Sequence, residues 1–388
     1  MKGTKNLLSL VGGSSLVLLW ALAIKSQNFA LERVDPENLN LGIDEQIWQT
    51  TGDRPSLIQA IDQSINYLKS DKASQDYNQY PIPGITRGKV LESLERFRTL
   101  LLKSKTPEEL QASISKEFVL YQARGNDPEK TVLFTGYYEP IYEGSLNPSP
   151  EYRYPLYKKP KDFASWPLPH PNRIELEGKD GLSGTNHRLE GSELVWLKSR
   201  MEAYLVQIQG SATIKLPNGK QITVGYDGGT DYPYFSIGKA LINDGVLQAD
   251  QMSLESLTNY LNEHPDVQNE YISRNNRFVF FKETFGTGPL GSIGVTITPE
   301  RSIATDKSLM PPGALALIHT NIPQLDDGKI TIPQVSRYVL DQDAGSAIKG
   351  PGRVDIFMGI GKNAGDRAGL IKYPGQLYYL LLKNHSNS

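Results

Sequence analysis

Three aspartates in a glycine-rich C-terminal stretch are the residues of this 388-residue chain best suited to acid–base chemistry. Asp306 comes first. Asp343 opens the run Asp343-Ala344-Gly345-Ser346-Ala347-Ile348-Lys349-Gly350, whose small residues let backbone, and therefore a ligand, approach closely. Asp355 stands at the start of an expected strand, between Val354 and Ile356-Phe357. Apolar surroundings disfavour the charged form of a carboxyl group, so such an acid stays protonated toward neutral pH and can donate a proton. The plainer alternative is that Asp343 caps a turn and Asp355 pairs with Arg353 or Lys349. The segment alone leaves both readings open.

Other chemistries find little support. The histidines are His170, His187, His264, His319 and His385; no two stand at metal-ligand spacing and none belongs to an HExxH pattern, so neither a metal nor a cofactor is expected. There is no GxSxG elbow. Gly359-Ile360-Gly361 runs into Lys362-Asn363-Ala364-Gly365, which fails the GxGxxG spacing and follows a β-rich stretch, so a dinucleotide site is rejected. The absence of cysteine removes disulfides, thiolate nucleophiles, cysteine-ligated metals and attachment through a lipidated cysteine. A formal charge of -2 argues against a general polyanion-binding role, and no nucleic-acid partner is expected. The 20 tyrosines outnumber 11 phenylalanines and 4 tryptophans together. Tyrosine-rich grooves suit sugars, although structural tyrosine is the commoner use.

These residues need a scaffold. Lys2 and Lys5 precede a mostly apolar run from Leu7 to Ile24 that ends at Lys25. A basic region followed by an apolar one reads as an export signal, with Ala21-Leu22-Ala23 as a cleavage site. Its 18 residues also reach the lower limit for crossing a bilayer, so residues 1–29 are a signal peptide or a membrane anchor. The rest is expected to be a soluble body outside the cytoplasmic membrane, and its length suggests two to three domains. Leu57, Ile58, Ile61, Ile65 and Leu68 recur at helical spacing behind Pro55-Ser56, and Val90, Leu91, Leu94, Phe97, Leu100 and Leu101 repeat the pattern. Thr106-Pro107-Glu108-Glu109 reads as a capping box opening a third helix to about Phe118.

From Val132 the texture becomes β. Leu133 to Pro140 reads as a strand, and residues 141–195 as long loops between short strands. Ile214 and Leu216, then Ile222, Val224 and Tyr226, flank Pro217-Asn218-Gly219-Lys220 as a hairpin. Helices are expected near Ser236–Asn243 and Leu254–Asn262, the second closed by Pro265. Short strands then follow at Phe278–Phe281, Gly294–Thr298, Ala314–His319, Lys329–Ile332, Ser336–Leu340, Asp355–Phe357 and Gln376–Leu382. With no βαβ rhythm, this points to a closed barrel or sandwich.

Taken together the motifs resemble a known family. Asp306, Asp343-x-Gly-x-Ala-Ile-Lys-Gly and Asp355 resemble the three-aspartate domain. Thr135-Gly136-Tyr137-Tyr138-Glu139-Pro140, Gln209-Gly210-Ser211, Tyr226 and Tyr234-x-Ser236-Ile237-Gly238-Lys239 resemble the membrane-bound lytic transglycosylase A family, from about Phe134 to the C-terminus. The resemblance implies a mainly β fold with N-terminal helices. A double-psi β-barrel would be built from residues 30–140 and 285–388, and an inserted β-domain from 141–284, with a groove between them. It implies a peptidoglycan glycan strand as partner, cleaved between N-acetylmuramic acid and N-acetylglucosamine to a 1,6-anhydro product. Asp355 would act as acid and then base, with Asp343 and Asp306 as supporting acids. Lys349 would orient Asp343 or Asp355. Thr135, Gly136, Tyr137, Gln209, Gly210 and Ser211 would line the groove, and Tyr226 and Tyr234 would stack on or bond to sugars.

The sequence departs from the family at Ala212, at Ala344-Gly345-Ser346 and at Thr230-Asp231, where the family usually has Gly, Thr-Gly-Gly and Asn-Gly. It also lacks the lipid-attachment cysteine of some members, which leaves membrane association to residues 7–24. Two rivals stay in play: a non-catalytic, expansin-like wall-binding module, and a two-carboxylate glycoside hydrolase with Asp343 or Asp306 as the base.

Overall fold

The computed structural model describes residues 29–384 apart from 37–41, 50–51, 79, 183–187, 249–251, 287 and 327. The apolar segment 7–24, His187 and His385 lie outside the described residues. Among those described, no helix is long and apolar enough to cross a membrane.

Strand β1 (Leu31–Val34) leads into four helices, α1 (Arg54–Leu68), α2 (Asp71–Asn78), α3 (Arg87–Lys103) and α4 (Pro107–Glu117). The expected apolar stripes are the buried faces of α1 and α3. Thr106 caps α4 by accepting the Glu109 N–H, while Glu109 reaches back to Lys105 N–H, one residue before the partner a capping box uses. Strands β2 (Phe118–Ala123) and β3 (Val132–Glu139) follow.

A second body comes next. It comprises β4 (Ile141–Ser145), β5 (Tyr154–Tyr157), α5 (Arg173–Glu177), β6 (Glu193–Leu197), α6 (Arg200–Gln209), β7 (Ser211–Lys215), β8 (Gln221–Gly229), α7 (Ile237–Asn243), α8 (Leu254–Glu263), α9 (Pro265–Arg274) and β9 (Val279–Glu283). The chain then returns through β10 (Ser302–Ala304), β11 (Leu315–Asn321), the hairpin β12 (Gln324–Asp326) and β13 (Lys329–Thr331), β14 (Gln334–Asp343), β15 (Arg353–Ile360), α10 (Lys362–Ala368) and β16 (Lys372–Leu382).

Strands from both ends of the chain share one sheet, in the order β1-β2-β16-β11-β14-β10-β15-β3. Because β3 also pairs with β16, the six strands from β16 round to β3 close on themselves, which removes the exposed edges of an open sheet. Two pairings in the ring are parallel, β10 with β14 and β15 with β3. The second body has its own six-stranded sheet, β5-β6-β4-β7-β8-β9. One core spans the N-terminal helices and the closed ring, and the second body has separate cores that share no residue with it.

The structure is thus a mixed helix–sheet chain rather than a mainly β one. The second body carries α5 to α9 beside its sheet, and α6 runs through a stretch where no helix was expected. Among the described residues, the stretch from 141 to 195 holds β4, β5, the start of β6, α5 and a short 3-10 turn at Phe163–Ser165 rather than long loops between strands alone. Pro265 opens α9 as well as ending α8, since its missing N–H costs nothing in a first turn. Gly294–Thr298 is not a strand. Gly294 at φ +85° turns the chain so that Gly291 N–H bonds to Val295 O, which leaves only an isolated bridge between Leu290 and Thr296.

Candidate active site

A cavity of about 550 Å³ takes its lining from both bodies. The closed ring contributes Tyr137, Asp343, Ala344, Gly345, Ser346, Lys349 and Asp355; the second body contributes Gln209, Gly210, Ser211, Tyr226 and Tyr234.

Asp355 is set by the sheet. On β15 the side chains alternate, so buried Val354 and Ile356 point into the ring while Asp355 points to the other face, at the cavity. Its partner across the parallel pairing is Thr135, whose hydroxyl donates to Asp355 Oδ1 at 2.7 Å. Burial pushes the carboxyl up to about 6, with the Thr135 hydrogen bond and the charge of Arg353 opposing and that of Asp343 adding. Neither Arg353 nor Lys349 forms an ion pair with it among the described residues. Arg353 acts on Asp355 through its field alone.

Asp343 ends β14, and both its oxygens are engaged. Oδ1 accepts the N–H groups of Ser292 and Ala344, each at 2.8 Å, and Oδ2 accepts the Tyr137 hydroxyl at 2.7 Å. The turn-capping role is therefore realised within the site rather than instead of it. Burial raises this carboxyl too, against the pull of Tyr137, the two amides and Lys307. The Tyr137 ring packs on Phe357 with centroids 5.3 Å apart, which fixes the hydroxyl over Asp343.

Asp306 does not line the cavity. Its oxygens accept the N–H of Gly350 at 3.0 Å and the hydroxyl of Ser308 at 2.7 Å. Partial burial works against its charge, but these donors and Lys349 outweigh it and hold the carboxyl below the usual range. Asp306 thereby ties down the loop that presents Lys349, an exposed side chain on the cavity wall.

Two other expected lining residues sit behind the wall. Thr135 reaches the site only through Asp355. Gly136 packs against α10: a Cβ there would fall 2.8 Å from Ala368 Cα and 2.9 Å from Ala368 O. Its glycine answers to helix–sheet contact. Gln209, Gly210 and Ser211 are the last residue of α6, its left-handed cap at φ +83° and the first residue of β7. Gln209 Oε1 accepts Tyr138 N–H at 3.2 Å, which links this strip to β3. Tyr226 is 51 % exposed on β8 and Tyr234 is 39 % exposed on the loop after it.

The residues at Thr230-Asp231, where the sequence departs from the family, hold that loop. The Thr230 hydroxyl accepts Phe278 N–H at 2.9 Å, and Asp231 accepts His170 N–H at 3.0 Å. Arg277 donates to the carbonyls of Thr230 and Tyr232. Sequence reasoning missed Arg173, Gln207, Asn275 and Arg277 in the lining. Arg173 is fully buried and donates to Gln207 Oε1 at 2.7 Å and to the carbonyls of Asn275 and Arg277. These partners lie 34 to 104 residues away, and its local partner, Glu177 four residues on, marks only a helical ion pair and not a place in the cavity. Among the described residues no group of three or more His, Asp and Glu side chains is placed to hold a metal ion.

Two family models match the chain, the MltA specific insert domain over residues 133–282 and the 3D domain over residues 301–381. The chain is 31 % identical over 263 residues to membrane-bound lytic murein transglycosylase A of Escherichia coli K12, covering 67 % of this chain and 68 % of that protein. It is 31 % identical over 267 residues to the Vibrio cholerae protein of the same name, covering 68 % and 69 %. Among solved structures, it superposes on a membrane-bound lytic murein transglycosylase from Agrobacterium tumefaciens with TM-score 0.71 at 26 % identity, over 91 % of this chain and 98 % of that one. It superposes on E. coli MltA with bound chitohexaose with TM-score 0.66 at 25 % identity, over 92 % and 96 %. The aspartates of the cavity and its loop therefore sit in a chain that belongs to the membrane-bound lytic murein transglycosylase A family.

Proposed function

We propose that this enzyme, a peptidoglycan lytic transglycosylase, cleaves the β-1,4 bond between N-acetylmuramic acid and N-acetylglucosamine with Asp355 as its single acid–base group. Protonated Asp355 gives its proton to the glycosidic oxygen as the C1–O bond breaks. The muramyl C6 hydroxyl attacks C1, and the Asp355 carboxylate takes the proton that this hydroxyl loses. The product is a 1,6-anhydro sugar, and no water is consumed. One carboxyl group suffices because the nucleophile belongs to the substrate.

The observation that carries this reading is the Asp355 carboxyl. It is pushed up to about 6, has one oxygen held by Thr135, and lines the cavity. Such a group is largely protonated in mildly acidic medium and able to take the proton back afterwards. The two-carboxylate hydrolase is disfavoured by Asp343, whose two oxygens already accept two amide N–H groups and a tyrosine hydroxyl and so are occupied rather than turned to a water.

The closed ring of six strands, two of its pairings parallel, supports a double-psi barrel as the catalytic body, formed by residues 30–140 and 285–388. Residues 141–284 are the insert, and the cavity is the glycan groove between them. The enzyme acts in the cell envelope, exported and either released or held there through residues 7–24, as the membrane-bound relatives suggest.

Residues 30–388 are incubated with purified murein sacculi and the products weighed by mass spectrometry. The reading requires 1,6-anhydro-muropeptides. Products heavier by one water would make the enzyme a hydrolase, and glycan binding without release would make the chain a wall-binding module.

A further inference from the structure

The chain leaves the closed ring at Glu139-Pro140-Ile141, and Glu139 is the last residue of β3. Its side chain is 1 % exposed, an unusual place for a carboxyl group. Oε1 accepts the Thr213 hydroxyl at 2.7 Å, whereas Oε2 is buried with no hydrogen-bond partner. No lysine, arginine or histidine forms an ion pair with Glu139 among the described residues.

The contacts around this carboxyl lie where the two bodies meet. Thr213 N–H donates to Pro140 O at 2.9 Å, Gly361 N–H donates to Glu139 O at 2.8 Å, and Ile141 is the register partner of Thr213. Strand alternation puts Ser211 and Thr213 on one face of β7, and Ser211 lines the cavity. The Glu139–Thr213 hydrogen bond is thus a side-chain link between the strand that carries Thr135 and Tyr137 and the strand that begins the opposite wall.

We propose that Glu139 in its neutral form is a positioning residue that holds the Gln209–Ser211 wall at a fixed distance from Asp355, and that ionisation of Glu139 weakens glycan binding. The proposal rests on the reading of the cavity as a glycan site. A neutral acid can occupy this position with one oxygen unpartnered, but a carboxylate there is a buried charge with half its acceptors bare. Burial accordingly raises its pKa, with the Thr213 and Ser211 hydroxyls opposing.

The other titrating groups on the adjoining elements are engaged elsewhere or, like Lys215 of β7, exposed to solvent. Lys362 pairs with Asp366, Glu143 with Lys198, Tyr138 with Tyr142, and Glu202 with the start of α6. Since the raised pKa belongs to the closed junction, that junction is favoured at low pH and loses its advantage as the pH rises through the raised value.

The test places Glu139, Glu139→Gln and Glu139→Ala on an Asp355→Asn background, where neither turnover nor Asp355 titration intervenes. Chitohexaose affinity is measured by calorimetry from about pH 4 to about pH 8.5. The parent should lose roughly tenfold in affinity across that range. The Gln variant, which keeps the acceptor without the charge, should hold the low-pH affinity throughout, and the Ala variant should be weak at every pH. A flat parent, or a Gln variant with the parent's slope, overturns the proposal. Amide exchange at Thr213 decides independently of glycan: it should quicken with pH in the parent beyond the intrinsic rate and not in the Gln variant. If chitohexaose fails to bind while Thr213 exchange follows this course, the glycan reading falls and the junction stands; equal exchange in both removes the junction.

Discussion

Thr135 and Asp355 are register partners on the parallel strands β3 and β15, and the Thr135 hydroxyl donates to Asp355 Oδ1 at 2.7 Å. This bond orients the acid and tempers it. It favours the carboxylate, and so keeps the group from being raised further than about 6, a value from which a proton can be both given and recovered.

Asp355→Asn should reduce turnover of sacculi by about a thousandfold or more while leaving glycan affinity within about threefold, since shape and the Thr135 contact survive. The folded protein raises this acid, so its burial destabilises the chain as the pH rises through about 6. The variant should therefore be more stable than the parent above about pH 6, by on the order of 1–2 kcal/mol after allowance for access through the cavity, and equal to it below about pH 4. Thermal unfolding at both pH values checks this.

Activity should fall on the alkaline side with an apparent pKa near the value of about 6 set by Asp355. Thr135→Val removes the hydrogen bond that favours the charged form, so this limb should move to higher pH while the maximal rate drops by roughly tenfold. A profile of kcat/KM against pH that does not move would remove Thr135 from the proton chemistry.

Asp343→Asn takes away a charge that raises Asp355. Its amide oxygen can still accept from Ser292 and Ala344, so the loop should stay in place. The alkaline limb should move down in pH, opposite to the Thr135 variant, with a rate loss of about tenfold to a hundredfold. The same kinetic profile measures it.

Asp306 is held below the usual carboxylate range, so the stability it lends is present above that range and disappears as the pH falls through its lowered pKa. Asp306→Ala also frees Gly350 N–H. The variant should lose on the order of 1 kcal/mol at neutral pH and less in acid, with kcat reduced through the displaced loop. Urea unfolding at two pH values gives the difference.

Tyr226 presents a half-exposed ring to the cavity. Tyr226→Ala should weaken chitohexaose binding about threefold to tenfold with the melting temperature unchanged, because little packing is lost. A melting point that falls with an unchanged affinity would make the ring structural.

Much of the scaffold could be read locally. The stripes of α1 and α3, the Thr106 cap and the turn at Pro217-Asn218-Gly219-Lys220 each rest on residues a few positions apart, and all are found. Helix α6 was missed because it is short and its apolar residues serve two cores, so no single stripe stands out. The supposed strand at Gly294–Thr298 failed because alternating apolar residues also suit a tight turn once glycine supplies a positive φ.

For the site, the sequence by itself determined which residues were candidates for acid–base chemistry: aspartates in a glycine-rich stretch, one of them between apolar neighbours, in a chain without cysteine or a metal-ligand pattern. Only the tertiary structure decided the partners. Asp355 meets Thr135 across 220 residues and Asp343 meets Tyr137 across 206, while Asp306 turns away to hold a loop and Gly136 makes room for a helix. The physical reason is one of range. Caps, turns and apolar periodicity are written within one or two turns of chain, but the proton affinity of a carboxyl group depends on how deeply it is buried and on what faces it. Here that is settled by the parallel pairing of strands from distant parts of the sequence.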